Sequence, residues 1–183
     1  MENLDALRSA LPEEAKDLKL NIQAVLRPGN LTEAQAWGCA LSSAFFLKDI
    51  DLAAAVLDDA TSAGVSPETV SDAKAAAAIM GMNTVYYRFK HMMLHEGGPD
   101  GSGKDTYESM PAQLRMNRMA KVATTKADFE LFSLACAAVE GCAMCLREHE
   151  KAVLAGGLTE AAVHDAVRIA ATINGFSIGI LLG

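Results

Sequence analysis

Hydrophobic and polar positions are arranged along this chain as amphipathic helical stretches broken by turn signals, and no segment makes a convincing strand. Pro12 followed by Glu13 and Glu14 opens a helix that runs to about Leu26, where R-P-G-N stops it. Thr32, with Gln35 three residues on, forms a capping box ahead of A-W-G-C-A-L-S-S-A-F-F-L, and a further helix runs from near Asp51 to Gly64. Ser66 and Pro67 start a long helical segment through K-A-A-A-A-I-M-G-M-N-T-V-Y-Y-R-F. It dissolves into E-G-G-P-D-G-S-G, the clearest loop in the sequence. Beyond that loop the pattern predicts a short helix around Gln113 to Val122, then helices from Lys126 to Glu140, from Cys142 to Leu154, and from Glu160 to the C-terminus.

An offset of 93 residues lays T-E-A-Q at 32–35 over T-K-A-D at 125–128, so that two helix caps coincide. The same offset lays S-P-E-T-V-S-D-A-K-A-A-A-A over T-E-A-A-V-H-D-A-V-R-I-A-A, with five of thirteen positions identical, a count that shared alanine inflates. The expectation is one domain over residues 1–183 that contains a duplicated helical unit, about 32–85 and 125–178. In that alignment Glu130 falls on Trp37, Cys142 on Asp49, Cys145 on Leu52 and His149 on Val56, which concentrates reactive groups in the second copy only.

Composition narrows the class. The 183 residues are 51% hydrophobic and only 5% aromatic, long enough for a substantial core and weighted towards helix, so the fold class is all-α. With 23 acidic against 16 basic residues the net charge is −7, which opposes nucleic-acid phosphates and anionic membrane surfaces. The N-terminal residues show no basic flank before an apolar core, and no apolar run approaches the roughly 20 residues that span a bilayer, so a cytoplasmic location is expected. In that compartment four cysteines suggest thiol, redox or metal chemistry rather than a structural disulfide framework.

The candidate chemistry lies in E-G-C-A-M-C-L-R-E-H-E, residues 140–150. With Gly141 as a break, Cys142 and Cys145 stand at i and i+3 in the first turn of a helix, where a C-x-x-C pair can close a disulfide. The unsatisfied N–H groups and dipole of that turn favour thiolate over thiol, most strongly for the first cysteine of the pair. His149, one turn beyond Cys145, can take the thiol proton, and Glu130 on the preceding helix can orient His149 directly or through a water. A zinc site using Cys142, Cys145 and His149 is the competing reading; no second C-x-x-C or H-x-x-H follows at zinc-finger spacing. Cys39 and Cys136, isolated in alanine-rich helices, read as small buried hydrophobes. His91 and His95 form an i, i+4 pair near a helix end that reads as solvated or dipole-favoured, and the methionines read as core filling.

Several motifs in one order carry a resemblance over nearly the full chain: L-P-E-E-A-K-D-L-K-L-N near the start, A-I-M-G-M-N-T-V-Y-Y-R at 78–88, L-R-M-N at 114–117, and A-D-F-E-L-F-S at 127–133 leading into G-C-A-M-C-L-R-E-H-E. The chain resembles the AhpD-like alkylhydroperoxidases, within the wider carboxymuconolactone decarboxylase-like family. The resemblance implies an all-helical protein with a duplicated motif, assembled as a homotrimer, with thiol-dependent peroxidase activity on organic hydroperoxides. It implies Cys145 as the peroxidatic cysteine that becomes a sulfenic acid, Cys142 as proton donor and resolving thiol, and His149 with Glu130 as the proton relay. It implies no tightly bound cofactor or metal. Dihydrolipoamide, carried by a lipoylated 2-oxoacid dehydrogenase component, would be the reductant, and the peroxiredoxin AhpC a partner.

One position departs from the pattern. The best-known form of the family has histidine as the second residue between the cysteines, and here that residue is Met144, which can neither donate nor accept a proton at neutral pH. Peroxide turnover is therefore expected to suffer more than disulfide exchange. Two further readings follow: a disulfide electron-transfer adaptor with little peroxidase activity of its own, and a carboxymuconolactone decarboxylase-type enzyme, whose chemistry does not require the C-x-x-C pair.

Overall fold

The structure, a computed structural model, describes residues 1–27, 29–95, 107 and 109–183. Among these residues there are eight α-helices and no strand: α1 (Glu2–Ala10), α2 (Lys16–Val25), α3 (Glu33–Leu47), α4 (Ile50–Ser62), α5 (Pro67–His95), α6 (Lys126–Glu140), α7 (Ala143–Ala155) and α8 (Glu160–Leu181). The all-α expectation holds. The expected loop at residues 96–103 lies outside the described residues.

The centre of the molecule is the pair α3 and α6. Residues Ala36–Ala44 and Phe129–Ala137 are buried without interruption, so both helices are enclosed all round, as their runs of small and apolar residues allow. They approach closely at Gly38, where an added Cβ would stand 2.1 Å from the Phe132 ring. Around them pack α5 and α8, with α7 lying against α5 and α6.

The caps read from the sequence are formed. Thr32 accepts the Gln35 N–H at 3.2 Å while the Gln35 side chain accepts the Thr32 N–H at 3.0 Å, the reciprocal box of the T-x-x-Q signature. Thr125 accepts the Asp128 N–H at 3.1 Å in the corresponding place, and the two caps meet through a Gln35 Nε2 to Asp128 Oδ1 hydrogen bond of 2.8 Å across a separation of 93 residues. The starts of α6, α7 and α8 each follow those of α3, α4 and α5 by that same separation. Both central helices also end alike, at a residue in the left-handed region: Lys48 (φ 62°) after α3 and Gly141 (φ 71°) after α6.

Two expectations differ from the structure. α1 was not signalled, because Met1 offers no side-chain cap; the carboxylate of buried Asp59 in α4 accepts the N–H groups of Asn3 (3.0 Å) and Leu4 (2.8 Å) instead. The short helix expected over Gln113–Val122 contracts to a 3₁₀ turn at Asn117–Ala120. Gln113 has φ 52°, and the N–H groups of Ala123 and Thr124 are taken by the fully buried Asp72 of α5, which also pairs with Arg118 at 2.5 Å. A remote carboxylate thus outbids local helix formation here.

Of the C-terminal tail, Ile173, Phe176 and Gly179 are buried in the core, whereas Ile178, Leu181 and Leu182 are exposed.

Candidate active site

Gly141 provides the break on which the site depends. Its left-handed conformation ends α6 and turns the chain so that α7 begins two residues later, with Cys142 as its N-cap. The Cys142 Sγ accepts the Cys145 N–H at 3.3 Å, so the first sulfur occupies the position of a capping oxygen. Cys142 and Cys145 are joined by a disulfide, with their Cα atoms 5.3 Å apart. The i, i+3 geometry expected from the spacing is present.

Around this turn α6 and α7 bring together the other two predicted residues. His149 Nδ1 and Glu130 Oε2 are 2.6 Å apart, both groups largely buried, in a direct contact with no room for the bridging water that was one alternative. With Nδ1 engaged by the carboxylate, Nε2 is the ring nitrogen left for proton exchange. The other oxygen of Glu130 is held by Lys126, one helical turn earlier, at 2.6 Å. Burial pushes the Glu130 carboxyl up. The hydrogen bonds and charges of His149 and Lys126 outweigh it and hold the group below its ordinary 4.5. Glu130 is therefore an ionised acceptor at neutral pH.

The two cysteines differ in access. Cys142 is 1% exposed, whereas Cys145 borders a cavity of about 310 Å³ that also meets His149. Asn83 and Tyr87 of α5 line this cavity, as do Met116, which precedes the 3₁₀ turn, and Met119 within it. Met144 also lines it, so the residue that stands where the family histidine was expected contributes an apolar thioether to the wall.

Cys39 and Cys136 are fully buried. Burial, with smaller contributions from Cys136 and Asp128, pushes the Cys39 thiol well up; burial pushes Cys136 up to about 12, although its contact with the Ser42 carbonyl at 3.5 Å opposes this. Both are inert thiols packed as small hydrophobes. The pairing of His91 with His95 involves the side chain of His95, which lies outside what is described. Among the described residues no three of His, Cys, Asp and Glu gather as a metal site, and no helix is long and apolar enough to cross a membrane.

The structure brings the four residues named from the sequence together, and sequence reasoning missed what surrounds them. Lys126 had a readable signal, its i, i+4 spacing from Glu130. Asn83, Met116 and Met119 had none, since only the packing of α5 against the 115–125 segment brings them to the cysteines.

Residues 106–178 match the model of the carboxymuconolactone decarboxylase family, a span that contains α6, α7 and the whole cysteine turn. The chain is similar along its length to proteins named alkyl hydroperoxide reductase AhpD. It is 54% identical to that of Anaeromyxobacter sp. (strain K) over 182 residues, covering 100% of this chain and 92% of the relative. It is 45% identical to that of Maricaulis maris (strain MCS10) over 172 residues, 94% of each. It is 41% identical to that of Rhodospirillum centenum (strain ATCC 51521 / SW) over 172 residues, covering 94% and 87%. The chain belongs to the AhpD family of alkyl hydroperoxide reductases.

Proposed function

We propose that this protein is an antioxidant alkyl hydroperoxide reductase working through the Cys142–Cys145 dithiol. The observation that carries the reading is that, among the described residues, Cys145 and not its disulfide partner Cys142 lines a cavity shared with a His149 held by an ionised Glu130. In the dithiol form the Cys145 thiolate attacks the terminal oxygen of the hydroperoxide. The O–O bond breaks, Cys145 becomes a sulfenic acid, and the departing alkoxide takes a proton from the Cys142 thiol, directly or through His149. The Cys142 sulfur then attacks the sulfenic sulfur, and the displaced hydroxide leaves as water with a proton from the relay. The sum is dithiol and hydroperoxide to disulfide, alcohol and water.

The choice of Cys145 over Cys142 reverses what the helix terminus alone favours. Access supports it: Cys142 is sealed beneath the turn, and a peroxide entering the cavity meets Cys145 first. Dihydrolipoamide on a 2-oxoacid dehydrogenase component would reset the disulfide by exchange, and AhpC would receive electrons from the dithiol. A homotrimer would cover Val85, Phe89 and Met92, an exposed apolar stripe at i, i+4 and i+7 on α5. The cytoplasm, which keeps thiols reduced, suits this cycle.

Met144 favours a second reading, an electron-transfer adaptor to AhpC. A thioether cannot relay a proton to a departing alkoxide, but exchange between disulfides needs only the two sulfurs. One experiment separates the readings. Reduced protein is treated with cumene hydroperoxide and its free thiols are mapped by alkylation and mass spectrometry, before and after dihydrolipoamide. Loss of two thiols at Cys142 and Cys145, restored by the dithiol, is the expected result. Two thiols that stay free under peroxide but oxidise against AhpC disulfide would leave the adaptor; a decarboxylase rate surviving replacement of both cysteines by serine would overturn both.

A further inference from the structure

The cavity beside Cys145 contains a polar group that neither the fold nor the proton relay uses. Asn83, within α5, borders it and is 5% exposed. Its Nδ2 donates to the Met116 sulfur at 3.3 Å, a weak acceptor, and its Oδ1 is buried with no hydrogen-bond partner. A buried acceptor left unpaired is costly to the fold, and few survive in native proteins without a role that the unliganded form does not display. The cover over this carboxamide is the thioether of Met116, a side chain with three rotatable bonds that yields easily to an entering group.

The remaining wall restricts what that group can be. Met116, Met119, Met144 and the Tyr87 ring are apolar or polarisable surfaces, and Glu148 adds a carboxylate to the rim. An anion would meet both this carboxylate and the negative end of the Asn83 carbonyl. A neutral molecule with one hydrogen-bond donor and an organic body satisfies the orphan acceptor and fills the methionine wall together. An organic hydroperoxide has that form, since its only donor is the O–H on the oxygen that Cys145 attacks.

We propose that Asn83 binds the hydroperoxide through its Oδ1, with the organic group received by the methionine wall. This rests on the peroxidase reading above and deepens it. Asn83 holds the terminal O–H, so that the oxygen bearing it is presented to the Cys145 thiolate. After the O–O bond breaks, the same O–H belongs to the sulfenic acid and keeps its partner, while the alkoxide leaves towards the methionines and takes its proton from His149, which borders the same cavity.

The test compares two oxidants that differ in the O–H. Reduced wild type, Asn83→Ala and Asn83→Leu are mixed in stopped flow with cumene hydroperoxide, and separately with 2,2′-dithiodipyridine, a neutral disulfide that oxidises the same thiolate without a donor. Both variants should lose about tenfold in second-order rate with the hydroperoxide, the worth of one hydrogen bond. Both should react with the disulfide reagent at the wild-type rate. Asn83→Leu, which removes the unpaired acceptor at similar volume, should melt no lower than wild type, so that its slower turnover cannot be assigned to a damaged fold. Unchanged hydroperoxide rates, or equal losses with both oxidants, would overturn the role of Asn83 and leave the peroxidase reading standing. A wild-type protein that forms no disulfide with cumene hydroperoxide would overturn both.

Discussion

At the start of α4 the Asp49 carboxylate accepts the Leu52 N–H at 3.1 Å; 93 residues later, at the start of α7, the Cys142 sulfur accepts the Cys145 N–H at 3.3 Å. Both turns follow a left-handed residue and both precede a helix of thirteen residues. Aspartate is the better cap, because a charged oxygen satisfies an N–H more strongly than a sulfur does. The same holds one layer in: where the first half packs Trp37 and Val56, the second encloses Glu130 and His149, a buried pair whose attraction seldom exceeds the cost of removing its charges from water. In each place the second half holds the group less useful to folding, and these are the groups to which the proposed reading gives the chemistry.

The most damaging way to erase the contrast is His149→Val, which gives α7 the residue α4 has at Val56. Turnover of cumene hydroperoxide should fall by about 10² or more, the share of a positioned acid and base, while Lys126 still compensates the Glu130 charge and the protein folds. A variant that kept turnover within a few-fold of wild type would show that the second half is specialised in its sulfurs alone.

A smaller effect is expected from Lys126→Met. Because the Glu130 carboxyl is held below its ordinary 4.5, its ionised form contributes stability that is present above about pH 4.5 and is lost as the pH falls through the lower folded value. Removing Lys126 raises that folded value, so the loss still begins near pH 4.5 but is smaller and is complete at a higher pH. Since the lysine is more than half exposed, the difference at neutral pH should be within about 1 kcal/mol. Melting temperatures of the two proteins, followed from pH 7 to 3, should converge at the acid end; curves that remain parallel would show that Lys126 does not set the titration of Glu130.

The least expected change comes from moving the sulfurs. In a Cys142→Ser/Cys145→Ser background, Asp49→Cys with Leu52→Cys recreates the C-x-x-C turn at the start of α4. Mass spectrometry should find a disulfide there and peroxide assays no turnover, since Val56 and Trp37 offer no relay. Turnover at the transplanted pair would show that the cap alone activates a cysteine.

How much of this was legible depends on distance along the chain. Helices with their own signals, such as α3 behind its capping box and α6 between Thr125 and Gly141, were read to within a residue or so, because cap and stop lie inside the element. α1 and the contracted turn at Asn117–Ala120 were not, since Asp59 and Asp72 act on them from 55 and 51 residues away. The site divides the same way. Cys142, Cys145 and His149 are two helical turns of one segment and could be placed by counting; Glu130 needed the assumption that α6 and α7 pack antiparallel. Asn83 and the methionine wall needed tertiary structure, and with them the shape of whatever enters.

The disulfide, finally, has a front and a back. Of the two, Cys145 and not Cys142 lines the cavity among the described residues, so on the proposed reading an attacking dithiol would join the Cys145 sulfur and release Cys142 as a thiolate, still beneath the N–H groups that cap α7. On the proposed reading, traffic through the pair would run one way round: oxygen and incoming sulfur would both arrive at Cys145, and the charge set free would come to rest on Cys142. A mixed disulfide with any electron donor should be found on Cys145 alone.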